Sequence, residues 1–291
     1  METADLLKRV RKIEIKSRGL TNQIFSGQYH SAFKGRGMAF SEVREYNYGD
    51  DIRSIDWNVT ARFDHPYVKV FEEERELTVM LLIDVSGSNY FGTQQMLKTE
   101  KITEIAAVLA FSAIQNNDKV GVVFFSDRIE KFIPPKKGTA HILRIIRELV
   151  DFKSQSQGTK LSEPLRFLTN AIKKRCTAFL ITDFMDTGFQ DAIKIASRKH
   201  DLIGIRIVDK RESDLPRAGL MKFRDFESNK TYWVDTSGKE FQETHKYHWM
   251  QHEKMLHDIF VKSRIDIAKV NTDEDFTKPL IKLFKKRESR Y

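Results

Sequence analysis

The sequence contains a single cysteine and no long apolar segment. Because Cys176 has no second cysteine to pair with, an internal disulfide is excluded, and its apolar surroundings (CTAFLIT) favour a buried, inert thiol. No stretch approaches the roughly 18 consecutive apolar residues that cross a bilayer. The first residues, METADLLKRVRKIEIK, also lack the uninterrupted apolar run of a signal peptide. We therefore expect a cytoplasmic protein without membrane insertion.

Positive charge is in excess but is not segregated along the chain. The net charge is +9, with 50 lysines and arginines interleaved with 41 acidic residues. Such an excess permits attraction to nucleic acid, anionic lipid or an acidic protein without selecting one of them. Trp57, Tyr46 and Tyr48 stand among arginines and could stack on single-stranded nucleic acid, but aromatic residues in short strands more often form a core. We expect no nucleic-acid partner.

The length and composition suit one large domain with a smaller elaboration, since 291 residues of which 40% are hydrophobic can bury a substantial core. Residues 3 to 16 have apolar side chains at helical spacing, which predicts an amphipathic helix. The short aromatic and glycine-marked pieces that follow, up to about Glu76, indicate turns between short strands. We predict an N-terminal helix and small β module over residues 1–76, and a second domain over residues 77–291.

From Leu77 onward, apolar strands alternate with amphipathic helices. LTVMLLID, KVGVVFF, CTAFLITD and DLIGIRIV are continuous apolar runs typical of parallel strands buried on both faces. RIEKFI is expected to return as an antiparallel partner of KVGVVFF, and Thr139 is expected to cap the helix after it. The order predicts an α/β fold, a doubly wound and mostly parallel sheet with helices on both faces. A hairpin and a long helix over about 210–262 are predicted as an insertion before the final strand.

Polar residues follow the first of these strands at the point where it ends. The loop from Asp84 through Ser86 to Ser88 offers one carboxylate and two hydroxyls at i, i+2 and i+4. Ligands of open parallel sheets bind beyond the carboxyl ends of the strands. Oxygen groups without histidine or cysteine are the ligands that Mg2+, Mn2+ or Ca2+ prefer. The loop indicates part of a site for such a cation, although the same residues alone are equally consistent with turn chemistry.

Two later positions complete this candidate site. Thr159 lies in the polar loop before a helix that Ser162 can open and that is expected to run to about Lys174, and Asp183 ends CTAFLITD in the way that Asp84 ends LTVMLLID. Because alternating strands and helices bring the ends of parallel strands to one edge, we expect both near the first loop. The candidate metal ligands are Asp84, Ser86, Ser88, Thr159 and Asp183.

Three pieces of the sequence together resemble the metal-ion-dependent adhesion site of von Willebrand factor A-type domains: Asp84-x-Ser86-x-Ser88, Gly158-Thr159 and Thr182-Asp183. The resemblance implies a von Willebrand factor A-like fold in which the serine and threonine hydroxyls bind the metal. It implies that the aspartates bind the metal directly or through water. It also implies an open coordination position that a carboxylate of a partner protein fills.

The segment from Arg36 to Arg62, RGMAFSEVREYNYGDDIRSIDWNVTAR, precedes EEERELTVMLLIDVSGS and resembles the bacterial domain-of-unknown-function family number fifty-eight. The similarity extends over nearly the whole chain. It implies a partnership with a MoxR-type AAA ATPase in the maturation or assembly of other proteins. We therefore expect a metal-ion-dependent protein-binding module.

Enzymatic alternatives fit these residues less well. A haloacid-dehalogenase-like phosphotransferase needs a second aspartate two residues after the first, where this chain has Ser86. A serine-hydrolase elbow needs Gly-x-Ser-x-Gly, which the loop from Asp84 to Ser88 does not match. Histidines crowd the predicted long helix, but they complete no zincin pattern, so a solvated face is favoured there. We expect that the protein is not an enzyme.

An alternative function stays open, that of a structural scaffold with a vestigial metal site that binds through the N-terminal module or the insertion. The basic loop with Lys34 and Arg36 could hold an acidic partner or form a simple turn. Within the N-terminal module, three aspartates are expected to pair with two arginines: Asp50, Asp51 and Asp56 with Arg53 and Arg62.

Overall fold

The computed structural model describes residues 38–63, 65–73, 77–90, 97–224 and 230–289, together with Arg11. The chain divides into two compact units, with the boundary between Leu77 and Thr78. The predicted helix over residues 3 to 16 lies outside the described residues, as do Lys34 and Arg36.

The smaller unit contains an antiparallel pair of strands, β1 (Met38–Glu45) and β2 (Tyr67–Glu73). Between the two strands lie a 3-10 helix (Ile52–Ser54) and helix α1 (Trp57–Phe63). Backbone hydrogen bonds, including one from Asp56 N to Tyr67 O at 2.8 Å, tie the start of α1 to β2.

The predicted ion pairs of this unit are wrong in their partners. Asp50 pairs with Arg44 at 2.8 Å and Asp56 with Lys69 at 3.3 Å. Asp51 accepts a hydrogen bond from the backbone N of Arg53, because a carboxylate at a helix N-cap binds a free backbone N–H more readily than a distant guanidinium.

The expectation that Tyr48 and Trp57 belong to a strand core is also wrong. Both side chains are largely exposed, at 103% and 68% of their reference areas. Tyr48 lies in a turn and Trp57 opens α1, so neither takes part in the strand alternation on which the expectation depended.

A six-stranded sheet forms the centre of the larger unit. Its strands are β3 (Thr78–Asp84), β4 (Lys119–Phe125), β5 (Ile129–Lys136), β6 (Thr177–Thr182), β7 (Asp201–Val208) and β10 (Asp266–Asn271). They are arranged in the order β10-β7-β6-β3-β4-β5, and all neighbours are parallel except β4 and β5. The predicted doubly wound, mostly parallel sheet is confirmed.

Helices connect and cover these strands. They are α2 (Lys98–Gln115), α3 (Thr139–Asp151), α4 (Ser162–Ala171), α5 (Gln190–Lys199), the single turn α6 (Lys210–Ser213), α7 (Lys239–Ser263) and α8 (Thr277–Glu288). Met80 and Leu82 of β3 belong to an apolar cluster with buried residues of α4, α5 and α7. Val79, Leu81 and Ile83 alternate with them and are equally buried, so both faces of the sheet are covered.

Two expected helix boundaries differ from the structure. Thr139 is the first residue of α3 and Gly138 is its N-cap, because the backbone before the helix takes a φ of +100°, a conformation that glycine adopts without strain. Helix α4 opens at Ser162 as expected but ends at Ala171, three residues before the predicted Lys174.

Between β7 and β10 the chain forms a hairpin and a long helix. The hairpin pairs β8 (Leu220–Arg224) with β9 (Thr231–Asp235), and α7 follows over 25 residues. The last turns of α7 carry Leu256, Ile259 and Phe260 into the core cluster. This segment therefore contributes to the main core rather than standing apart from it.

In the part of the chain that the structure describes, no helix combines the length and apolarity needed to cross a membrane. The cytoplasmic location stays a prediction.

Candidate metal centre

The loop that follows β3 leaves the middle of the sheet, between β4 and β6. Asp84 ends the strand with 1% of its area exposed, and its Oδ1 accepts a hydrogen bond of 2.9 Å from Ser86 N. Val85 N donates to Phe125 O at 2.8 Å, which continues the parallel ladder by one step. The chain then forms a short 3-10 helix over Gly87–Tyr90.

The two serine hydroxyls of this loop lie together. Ser86 Oγ and Ser88 Oγ are 3.1 Å apart, as the i, i+2 spacing predicts for a tight turn. The side chain of Asn89 stabilises this turn, because its amide Nδ2 donates to Asp84 O at 3.2 Å and to Ser86 Oγ at 3.4 Å. No pattern in the sequence indicates this role of Asn89, a fully buried residue one position beyond the motif.

Thr182 joins the first loop to the end of β6. Its Oγ1 donates to Asp84 Oδ2 at 2.6 Å, and it immediately precedes Asp183. Burial, and then the negative charge of Asp183, raise the pKa of Asp84 from 3.8 to about 6, against the hydrogen bonds from Ser86 and Thr182. A nearby cation would act in the opposite direction by favouring the charged carboxylate.

The loop that carries Thr159 lies against both the first loop and the end of β4. Gly87 N donates to Gln157 O at 2.9 Å, and Lys160 N donates to Ser126 O at 3.1 Å. The Thr159 hydroxyl is buried, and within the described part of the chain it has no hydrogen-bond partner. An oxygen in that state is available to a ligand.

Glu130 of β5 anchors the start of this loop. Its Oε1 accepts hydrogen bonds from Ser126 Oγ at 2.7 Å, Ser154 Oγ at 3.2 Å and Ser156 N at 3.1 Å. Burial raises the pKa of Glu130, but these hydrogen bonds outweigh it and hold the pKa below its ordinary value. Sequence reasoning missed Glu130, because an acid in a hairpin strand has no motif that links it to a loop 24 residues away.

Asp183 is buried and ion-paired. Its Oδ2 lies 3.1 Å from Lys98 Nζ, and its Oδ1 accepts a hydrogen bond from Met185 N at 3.1 Å. Lys98 is completely buried, and its ammonium also contacts Glu212 Oε1. Burial lowers the pKa of Lys98, but the carboxylates of Asp183 and Glu212 outweigh it and hold the pKa above its ordinary value. The sequence did not indicate this lysine.

Helix α7 contacts the segment after Asp183. Arg206 donates from Nε to Asp183 O at 3.2 Å and pairs through Nη1 with Glu253 at 2.8 Å. His252 is half-buried, and its Nε2 lies 3.0 Å from Phe184 O. His252 therefore belongs to a packed face rather than to the fully solvated face expected for these histidines.

The donor set suits a hard divalent cation. The five residues supply two carboxylates and three hydroxyls, a set of oxygen donors without nitrogen or sulfur. No group of three or more His, Cys, Asp or Glu residues that could hold a metal occurs among the described residues. Beyond its two carboxylates, the candidate site offers the hydroxyls of Ser86, Ser88 and Thr159 as oxygen donors.

Comparisons with known proteins identify relatives over most of the chain. The family model described as protein of unknown function DUF58 matches residues 42–255. The uncharacterized protein Rv1480 of Mycobacterium tuberculosis is 26% identical over 226 residues, which are 77% of this chain and 71% of that protein.

Solved structures resemble the fold at low sequence identity. The conserved hypothetical protein BatB from Bacteroides thetaiotaomicron has a TM-score of 0.51 and 17% identity, over 73% of this chain and 99% of that chain. The SpRpn10 VWA domain has a TM-score of 0.41 and 10% identity, over 71% of this chain and 94% of that chain. The likeness to BatB concerns the fold alone.

Proposed function

This chain belongs to the family of proteins of unknown function DUF58, and we propose that it is a metal-dependent protein-binding module. A carboxylate of the partner protein would complete the coordination shell of its divalent metal ion. The proposed metal ligands are oxygen atoms of Asp84, Ser86, Ser88, Thr159 and Asp183. The resemblance of its sequence to von Willebrand factor A-type domains supports a protein-interaction role, and the mostly parallel six-stranded sheet fits that resemblance.

The observation that carries the proposal is the buried Thr159 hydroxyl, which forms no hydrogen bond with any of the residues that the structure describes. Leaving a buried hydroxyl unpaired costs about 1–3 kcal/mol, so such groups are usually explained by a function or a ligand. The loop of Thr159 contacts the loop of Ser86 and Ser88, whose hydroxyls already lie 3.1 Å apart. A cation bound by these oxygens would satisfy all three.

Mg2+ is the proposed ion, with Mn2+ and Ca2+ as alternatives. All proposed ligands are oxygens, and Mg2+ takes about six ligands in octahedral geometry while keeping several waters. The protein would supply the hydroxyls and Asp84, with Asp183 acting directly or through water. The remaining position would accept a glutamate or aspartate of the partner, through charge-assisted coordination.

We propose binding without turnover. Asp84 is the only carboxylate of the first loop, since Ser86 stands where a phosphotransferase would need its second aspartate. The resemblance of the sequence to proteins that act with MoxR-type AAA ATPases makes such an ATPase the first candidate partner. Its role would be the maturation or assembly of other proteins.

A structural scaffold is the second candidate function. Exposed aromatic side chains on the insertion favour it, since Tyr232 and Trp233 of β9 are 51% and 64% exposed. Exposed large aromatic residues are characteristic of protein-interaction surfaces. In this alternative, contact with the partner would not require a metal.

A capture assay with a purified MoxR-type ATPase separates the two functions. Metal-dependent binding requires that capture in Mg2+ is lost with chelator and lost in the double variant Ser86→Ala, Ser88→Ala, while the control Ser197→Ala on α5 binds normally. Capture that survives chelation but is lost in Tyr232→Ser, Trp233→Ser would establish the scaffold instead. Metal-dependent capture by the double-serine variant would refute the ligand assignment.

A further inference from the structure

Lys98 occupies an unfavourable place for a lysine. It is the first residue of α2 and is completely buried. Helix N-termini carry partial positive charge, which disfavours cations there, and a buried ammonium is costly unless it is paired. A lysine at such a position must be held by strong local partners.

Those partners are a proposed metal ligand and a second carboxylate. Lys98 Nζ contacts Asp183 Oδ2 at 3.1 Å and also Glu212 Oε1. Glu212 is itself fixed, because its Oε2 accepts a hydrogen bond from Asp209 N at 2.9 Å in the capping box of α6. The ammonium is therefore clamped between two rigid carboxylates at the edge of the site.

The neighbouring buried lysine of α2 makes different contacts. Lys101 is 7% exposed, and its Nζ donates to Glu274 O at 2.9 Å and lies 5.8 Å from the centre of the Phe276 ring. Burial on α2 alone therefore does not direct a lysine to the metal site. Lys101 provides a matched comparison for Lys98.

We propose that Lys98 is a built-in counter-cation of Asp183 that weakens the binding of the divalent metal and makes full occupancy depend on the partner's carboxylate. The inference rests on the proposed metal site and specifies how that site is controlled. It gives Lys98 and Glu212 a positioning role, with no contact to the metal.

The geometry of Asp183 supports this role. Lys98 contacts Oδ2 and the Met185 backbone N–H donates to Oδ1, so each oxygen keeps one lone pair for the metal or for a bridging water. In either case the fixed ammonium would repel the incoming ion. A carboxylate delivered by the partner adds the negative charge that Lys98 offsets, so the metal and the partner bind cooperatively.

Glu212 has the opposite effect on the metal. Its carboxylate shares the positive charge of Lys98, which reduces the repulsion that the metal meets. Removing the charge of Glu212 leaves the ammonium compensated by Asp183 alone. The two residues therefore yield variants with effects of opposite sign.

The test is Mg2+ titration calorimetry and Mg2+-dependent thermal shift on the full chain. Lys98→Met should bind Mg2+ at least about tenfold more tightly than the wild type and show a larger rise in melting temperature with Mg2+. Glu212→Gln should bind more weakly, and Lys101→Met should match the wild type in its Kd for Mg2+. Asp84→Ala combined with Lys98→Met should lose the Mg2+ response.

The outcomes separate the inference from the proposed function. Equal Kd values in wild type and Lys98→Met overturn the role of Lys98 while leaving the metal site intact. If Lys98→Met binds Mg2+ and the wild type does not, the role of Lys98 is supported. If none of the proteins binds Mg2+, both the inference and the proposed metal site are overturned. If Lys98→Met does not fold, Glu212→Gln decides, because an unchanged or tighter Kd in that variant overturns the inference.

Discussion

The hydroxyl of Thr182 donates a hydrogen bond of 2.6 Å to Asp84 Oδ2, across 98 residues of sequence. The two residues end neighbouring parallel strands, so the bond joins the first and third pieces of the candidate site. Ser86 N holds the other oxygen of the same carboxylate. The direction of the Asp84 carboxylate is therefore set by the strand ends themselves, before any metal binds.

Replacing Thr182 tests this orientation. Thr182→Val keeps the shape of the side chain and removes the donor, which leaves Asp84 Oδ2 buried without this bond. We expect a loss of about 1–3 kcal/mol in the free energy of unfolding and weaker Mg2+ binding. Urea denaturation measures the first effect and calorimetry the second. Thr177→Val, at the other end of β6, is the control, and an equal Mg2+ Kd in both variants would contradict the role of Thr182.

Glu130 should control the loop of Thr159 from a distance. Glu130→Ala removes the acceptor of Ser126, Ser154 and the Ser156 backbone, so we expect a loss of about 2 kcal/mol or more in stability and a higher Kd for Mg2+. Glu148→Ala, which breaks a partly exposed ion pair with Lys131, should cost less than about 1 kcal/mol and leave the Kd unchanged. Comparable changes of the Mg2+ Kd in the two variants would argue against control of the Thr159 loop by Glu130.

His200 should make the fold sensitive to acid. Burial, and then the charges of Lys199 and Arg175, lower the pKa of His200 from 6.5 to about 4. Because the folded pKa lies below the unfolded one, the unfolded state binds the proton more tightly. The contribution of neutral His200 to the free energy of unfolding is therefore present above pH 6.5 and is lost as the pH falls towards 4. The loss amounts to about 3 kcal/mol at most.

The measurement is urea unfolding at several pH values in the presence of chelator. His200→Gln should flatten the decline in stability between pH 6.5 and 4, and His248→Gln, on an exposed face of α7, should not. A decline that is the same in wild type and His200→Gln would exclude His200 as its source.

The sheet was predictable because each of its strands can be recognised from its own short run of apolar residues. LTVMLLID and CTAFLITD are apolar runs interrupted only by threonines and ended by an aspartate, and the structure buries both strands on two faces. The closeness of Ser86 and Ser88 was predictable for the same reason, since both lie in one short loop. Each of these predictions required only neighbouring residues.

The charged surroundings of the site were not predictable in this way. Lys98 meets Asp183 across 85 residues and Glu212 across 114, and no local pattern encodes either contact. In the sequence, Lys98 resembles any polar residue at the start of a helix. Its contact with Asp183 becomes visible only in the structure, which brings the end of β6 close to the start of α2. The aromatic residues Tyr48 and Trp57 were misassigned because strand alternation was assumed where the chain forms a turn and a helix.

Titration calorimetry of the full chain with Mg2+, with Asp84→Ala as the comparison, tests the central claim most directly. Thermal shift in chelator checks that the variant is folded. The proposed metal centre predicts one-to-one binding by the wild type that Asp84→Ala abolishes. Binding of equal strength in the folded variant, or no binding by the wild type at millimolar Mg2+ even with the partner present, would contradict it.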